Sequence, residues 1–131
     1  MSILYIKKVS GKGRGVFSRT PIVEGEIIEQ SPLLVMPGED YDRLTQSVMV
    51  NYCFFFDREK KMLGLASGFS SMYNHQSPSN ATHSVDPSTK LITITAVRNI
   101  EANEEICINY NGSFDNDSLD WFQTRNLLLK Q

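Results

Sequence analysis

Short apolar runs in "LYIKKVS" and "GVFSRT" flank the glycine-rich "GKGRG". Two such runs around glycines predict two strands joined by a tight turn. Pro21 then opens "PIVEGEIIEQSPLLVM", in which Gly25 divides the run into two extended pieces. From Glu39 to about Cys53 the period lengthens: Tyr41, Leu44, Val48, Met49 and Tyr52 recur at roughly helical spacing and predict a helix. "YCFFFD" either extends that helix or begins a strand.

A Gly/Ser-rich stretch, "LGLASGFSSMYNHQSPSN", follows. Beyond it, "KLITITAVRNI" is β-branched and alternating, and in "NEEICINYNG" Ile106, Ile108 and Tyr110 fall on one strand face. Between these two strands "NIEANEEI" echoes the earlier "PIVEGEII". Glycine and asparagine best tolerate a left-handed backbone, so Gly25 and Asn103 mark tight turns of the same kind. The tail, "NGSFDNDSLDWFQTRNLLLKQ", reads as a turn, an acidic stretch and a short helix capped near Ser118. The whole predicts one mainly β domain over residues 1–131, with one or two short helices and many irregular connections.

Composition narrows the function classes. A chain of 131 residues fits one core, and a net charge of -2 gives no broad basic surface, so direct nucleic-acid binding is not expected. Its longest apolar runs are too short to span a bilayer, and "MSILYIKKVS" lacks a signal-peptide core, so no membrane association and an intracellular location are expected. The two cysteines, Cys53 and Cys107, exclude a four-cysteine zinc site within the chain and read as buried free thiols.

Candidate chemistry begins with "GKGRG". Close glycines let backbone N–H groups approach a ligand, but phosphate loops open a helix and "GVFSRT" is β-like. That leaves a structural turn, or a ligand held by backbone without a helix dipole. The stretch "SMYNHQSPSNATHS" contains both histidines and admits three readings: a surface loop, a metal site or part of an active site. A metal needs three or four ligands, whereas His75 and His83 stand eight residues apart with no cysteine or paired carboxylate at ligand spacing, so no metal is expected. No nucleophile-elbow signature accompanies either histidine.

Order along the chain adds what the pieces lack. A glycine turn near the N-terminus, "YNHQSPSN" in the second half and "NEEICINYNG" about thirty residues later together resemble the SET-domain protein-lysine methyltransferases. The family pattern is GxG, then Asn-His-Ser-x-x-Pro-Asn, then Gly-Glu-Glu-hydrophobic-x-hydrophobic-x-Tyr. The resemblance runs over nearly all of the chain and is nearest the minimal viral-type SET proteins, which lack zinc-binding flanks. Three departures stand out: Gln76 replaces the family serine, Pro78 precedes its usual place with Ser79 after it, and Asn103 replaces the turn glycine. Asn74, His75, Asn80 and Tyr110 fall in register.

The resemblance implies several small β-sheets, a knot-like C-terminal threading, and S-adenosylmethionine as methyl donor to a lysine of a histone or another basic protein. By residue, it implies that Lys12, Gly13 and Arg14 contact the methionine portion of the cofactor, with Asn74 and His75 beside them. It makes Tyr110 the tyrosine aimed at the reacting centre and Tyr52 a second channel tyrosine. Phe114 and Trp121 become covers for the adenine or the lysine stem. Ile108, two before the final tyrosine where relatives often carry phenylalanine or tyrosine, implies room for more than one methyl group. Self-association, common in the viral relatives, is compatible with it.

The reaction's difficulty is that the amine must be neutral. A free lysine of pKa about 10.4 is deprotonated only about one part in a thousand near neutral pH, a deficit of roughly 4 kcal/mol. An apolar channel beside a positive sulfonium lowers that pKa without a dedicated base, and alignment of the reactants supplies the rest. The rival reading within the same fold is an inactive peptide-binding module.

Overall fold

The computed structural model describes residues 3–110. β1 (Leu4–Val9) and β2 (Gly13–Ser18) form the expected antiparallel hairpin, and its turn uses φ +77° at Gly11 and +79° at Gly13. Glycine reaches such angles at little cost. The hairpin's inner strand pairs with a late strand, β9 (Glu105–Ile108), which in turn pairs parallel with the two-residue β6 (Asn74–His75). The first sheet therefore runs β1-β2-β9-β6.

A second, five-stranded sheet has the order β4 (Cys53–Asp57), β5 (Met62–Ala66), β3 (Ile27–Met36), β8 (Leu91–Ala96), β7 (Ala81–Asp86). β3 serves two neighbours in succession, residues 27–32 pairing with β8 and residues 33–36 with β5. Pro32, which has no N–H for a ladder, stands at the handover, where its carbonyl accepts the Ser67 N–H at 3.3 Å. In a flat sheet the outer strands would lie roughly 19 Å apart, at about 4.8 Å per step. Yet Phe54 of β4 and His83 of β7 bring their ring centroids to 5.1 Å, so the sheet curls until its two edges meet.

Both sheets supply the main core: Leu4, Val16, Ile106 and Ile108 from the first meet Leu33, Ile92 and Ile94 from the second. Each fully buried isoleucine contributes about 1.5–3 kcal/mol relative to an exposed one. Ile106 and Ile108 share this core and Tyr110 packs against it, as expected, but Cys107 is buried too, so β9 is covered on both faces. Cys53 and Cys107 are buried free thiols. Burial pushes the Cys53 thiol up to about 11.

The chain is mainly β as expected, and three local readings change. The predicted helix from Glu39 to Cys53 is three short pieces: a 3-10 turn at Gly38–Asp40, the five-residue α1 (Tyr41–Thr45) and a 3-10 helix at Val48–Tyr52. Ser47 breaks the run by taking an extended backbone and accepting the Met49 N–H with its hydroxyl. Val48 and Met49, counted as part of an apolar stripe, are exposed. "YCFFFD" supplies strand β4, while β5 and β7 lie in segments read as irregular.

The two echoing segments do form the same turn. Gly25 has φ +86° and Asn103 φ +65°. In each, the glutamate that follows accepts a backbone N–H three residues back, Glu26 from Val23 and Glu104 from Glu101. Ile22 and Ile100 then bridge the two segments by reciprocal N–H···O bonds of 2.9 and 2.8 Å. Among the described residues no helix is long and apolar enough to cross a membrane. The predicted C-terminal helix and the threading lie outside the described residues, as do Phe114 and Trp121.

Candidate active site

The parallel pairing of β6 with β9 is the local event that builds the site. It sets Asn74 opposite Cys107 and His75 opposite Ile108, and Gln76 N–H closes the ladder on the Ile108 carbonyl at 3.1 Å. Asn80, wholly buried, staples the same strand: its amide donates to the Glu105 carbonyl and its Oδ1 accepts the Cys107 N–H, both at 2.8 Å. A two-residue strand has little pairing of its own, and these side-chain bonds fix its register.

Asn74 is buried beneath the glycine hairpin. Its Nδ2 donates to the Arg14 carbonyl at 3.1 Å and to Glu105 Oε2 at 2.7 Å. Both amide hydrogens are thereby committed, so Oδ1 is the atom this side chain offers to anything else. Glu105 Oε1 lies 3.8 Å from the Lys12 ammonium. A Cβ on Gly15 would stand 2.4 Å from Glu105 Oε2 and 3.0 Å from Asn74 Nδ2, so the last glycine of "GKGRG" makes room for this pair. Arg14 takes part through its carbonyl, and its side chain points to solvent.

One residue along, His75 Nδ1 accepts the Tyr110 backbone N–H at 3.1 Å, and the two rings stand 5.1 Å apart. An accepting Nδ1 implies that the neutral imidazole carries its hydrogen on Nε2. The Tyr110 hydroxyl donates to the Tyr73 carbonyl at 2.8 Å. Burial raises the Tyr110 phenol well above its ordinary range, with Cys107, Glu105 and Tyr52 adding to the shift. The phenol is therefore neutral at any working pH and acts as an oriented dipole. Tyr52, at the end of the 3-10 helix, is thus an electrostatic neighbour of Tyr110.

The structure brings Lys12, Gly13, Arg14, Asn74, His75, Ile108 and Tyr110 into one neighbourhood, with Tyr52 beside it. His83 is elsewhere, on β7 against Phe54, and its buried Nδ1 has no hydrogen-bond partner among the described residues. Gln76, a departure from the family pattern, is exposed and contributes its backbone, while Ser79 is buried with its hydroxyl on the Ala81 carbonyl at 2.7 Å. Sequence reasoning missed Glu105 and Tyr73. The double glutamate of "NEEI" was the available signal for the first; the second read only as an aromatic before the Asn-His pair.

The SET-domain family model matches residues 13–111. A Schizosaccharomyces pombe histone-lysine N-methyltransferase specific for lysine 37 of histone H3 is 37% identical over 110 residues, covering 83% of this chain and 74% of that protein. A Plasmodium falciparum protein described as a candidate histone methyltransferase superposes with a TM-score of 0.64 at 30% identity, covering 84% of this chain and 98% of that one. A chain of an active polycomb repressive complex 2 in its basal state gives a TM-score of 0.72 at 21% identity over 83% of this chain but 15% of its own, which speaks for the fold alone. The chain belongs to the SET-domain family, as a protein-lysine methyltransferase.

Proposed function

We propose that the chain methylates a lysine of a histone, acting in the nucleus with S-adenosylmethionine as donor. The histone substrate is supported by the name of the yeast relative. The observation that carries the cofactor reading is Asn74, whose amide hydrogens are both held by the protein while Oδ1 is left to accept from an ammonium group. Lys12, Gly13, Arg14 and His75 stand around it and would hold the methionine portion, while the family pattern alone assigns the adenine to Phe114. Bound there, S-adenosylmethionine supplies an electrophilic methyl group on a positive sulfonium.

The chain's own residues then have three tasks. Tyr110, held at its N–H by His75 and at its hydroxyl by the Tyr73 carbonyl, presents a fixed oxygen to the reacting centre. Tyr52, an electrostatic neighbour of Tyr110, lines the same approach, and Trp121 keeps only the role that the family pattern implies for it. Apolar surroundings disfavour the charged lysine, which offsets the roughly 4 kcal/mol deficit of neutral amine without a base. Ile108, fully buried two residues before Tyr110, leaves more room than an aromatic ring, which supports transfer of two or three methyl groups.

Calorimetric titration with S-adenosylmethionine, paired with labelled-methyl transfer to histone H3, tests this reading. Expected are saturable binding and label on H3, with Asn74→Ala weakening cofactor binding by about tenfold or more, the cost of one charge-assisted hydrogen bond. Binding without label on any histone would remove the substrate reading alone; absence of binding would remove the cofactor reading as well.

A further inference from the structure

We infer that Glu29 and Tyr73 form a positioning strut for Tyr110, the carboxylate of β3 holding in place the residue whose carbonyl fixes the Tyr110 hydroxyl. This rests on the reading of Tyr110 given above. The Tyr73 side chain is buried, and its hydroxyl donates to Glu29 Oε1 at 2.8 Å, while its carbonyl accepts from Tyr110 at 2.8 Å. One residue thus links a carboxylate in the five-stranded sheet to a tyrosine at the end of β9.

Three features show the carboxylate to be placed rather than incidental. The pairing of β3 with β8 slips between Ile27 and Glu29. Ile28 packs on the core, so uninterrupted alternation would send Glu29 outward; the slip turns it to the face shared by buried Ser31 and Leu33. Next, Glu29 Oε2 accepts the Phe69 N–H at 2.8 Å and the Ser31 hydroxyl at 3.3 Å, and Ser70 donates to Ser31 in turn at 3.2 Å. Finally, Gly68 has φ +67°, and a Cβ there would meet Glu29 Oε2 at 2.5 Å, so the segment leading to Tyr73 is shaped around this carboxylate. Burial and the Glu29 charge both raise the Tyr73 phenol, which therefore always has its proton to donate.

A strut acts through Tyr110, whereas a plain anchor of the loop acts on stability alone. Tyr73→Phe, Tyr110→Phe and the double variant are compared by methyl-transfer rate and cofactor titration in the full chain. Tyr73→Phe is expected to lower kcat about tenfold at unchanged cofactor affinity, yet to add less than about twofold in the Tyr110→Phe background, where the group it positions is gone. Glu29→Gln, which keeps an accepting oxygen, is expected to give a smaller loss with the same background dependence. The same loss in both backgrounds, or a lowered Tm with unchanged kcat, overturns the strut. Full transfer by Tyr110→Phe alone overturns the reading of Tyr110, and the strut with it.

Discussion

The two histidines occupy almost the same local geometry and do opposite things. His75 stands 5.1 Å from the Tyr110 ring at 53°, and His83 stands 5.1 Å from the Phe54 ring at 50°. The difference lies in what Nδ1 meets. In His75 it accepts the Tyr110 N–H; in His83 it is buried with no partner among the described residues. A ring against an aromatic is common packing, but a ring whose nitrogen fixes the backbone of Tyr110 belongs to the proposed site.

Replacement of each ring gives the largest contrast. His75→Ala removes the acceptor that holds Tyr110 and is expected to lower kcat by about 100-fold, the scale of misplacing a reacting group by an ångström. His83→Leu is expected to stay within about twofold of wild type, since the ring packs on Phe54 away from the proposed site and leucine is of similar size. Labelled-methyl assays at saturating cofactor compare the two, and equal losses would erase the distinction.

Acid titration sharpens the contrast next. Burial, with help from Arg58, lowers the His83 pKa from 6.5 to about 4. An unfolded histidine takes up a proton from about pH 6.5 downward and the folded one only near pH 4, so stability falls as pH drops through that window. Wild type is expected to lose up to about 3 kcal/mol there relative to His83→Leu, read from urea melts at pH 7 and pH 4. At pH 7 itself His83→Leu is expected to be more stable by about 1 kcal/mol, because it deletes an unsatisfied buried nitrogen. A parallel pH dependence in both proteins would place the acid sensitivity elsewhere.

What the sequence made legible follows the range of each signal. The glycine hairpin, the paired turns at Gly25 and Asn103 and the strand at "EICI" are local, and period and turn chemistry sufficed. β5 and β7 escaped because their pairing partners, not their own alternation, make them strands; "MLGLA" is apolar almost throughout and "ATHSVD" is largely polar. The helix from Glu39 broke at Ser47 because a serine cap outcompeted a stripe of which Tyr41 and Leu44 reach a core cluster while Val48 and Met49 face solvent. At the proposed site, motif order singled out Asn74, His75 and Tyr110, which the structure brings together. Glu29 was not singled out, because its role depends on a strand slip and on a tyrosine 44 residues away.

The smallest expected effect concerns Gln76, the neighbour of His75 and a departure from the family pattern. Its side chain is exposed, and its tie to the site is the backbone N–H on the Ile108 carbonyl at 3.1 Å. Gln76→Ser, which restores the family residue, is therefore expected to change kcat by less than about twofold, as surface substitutions usually do little. Gln76→Pro deletes the N–H, and is expected to lower kcat by about tenfold as the β6–β9 ladder loosens beneath His75. The pair separates side chain from backbone at one position. If Gln76→Ser raised activity strongly while Gln76→Pro did nothing, the exposed side chain, and not the ladder, would be what this segment brings to the reaction.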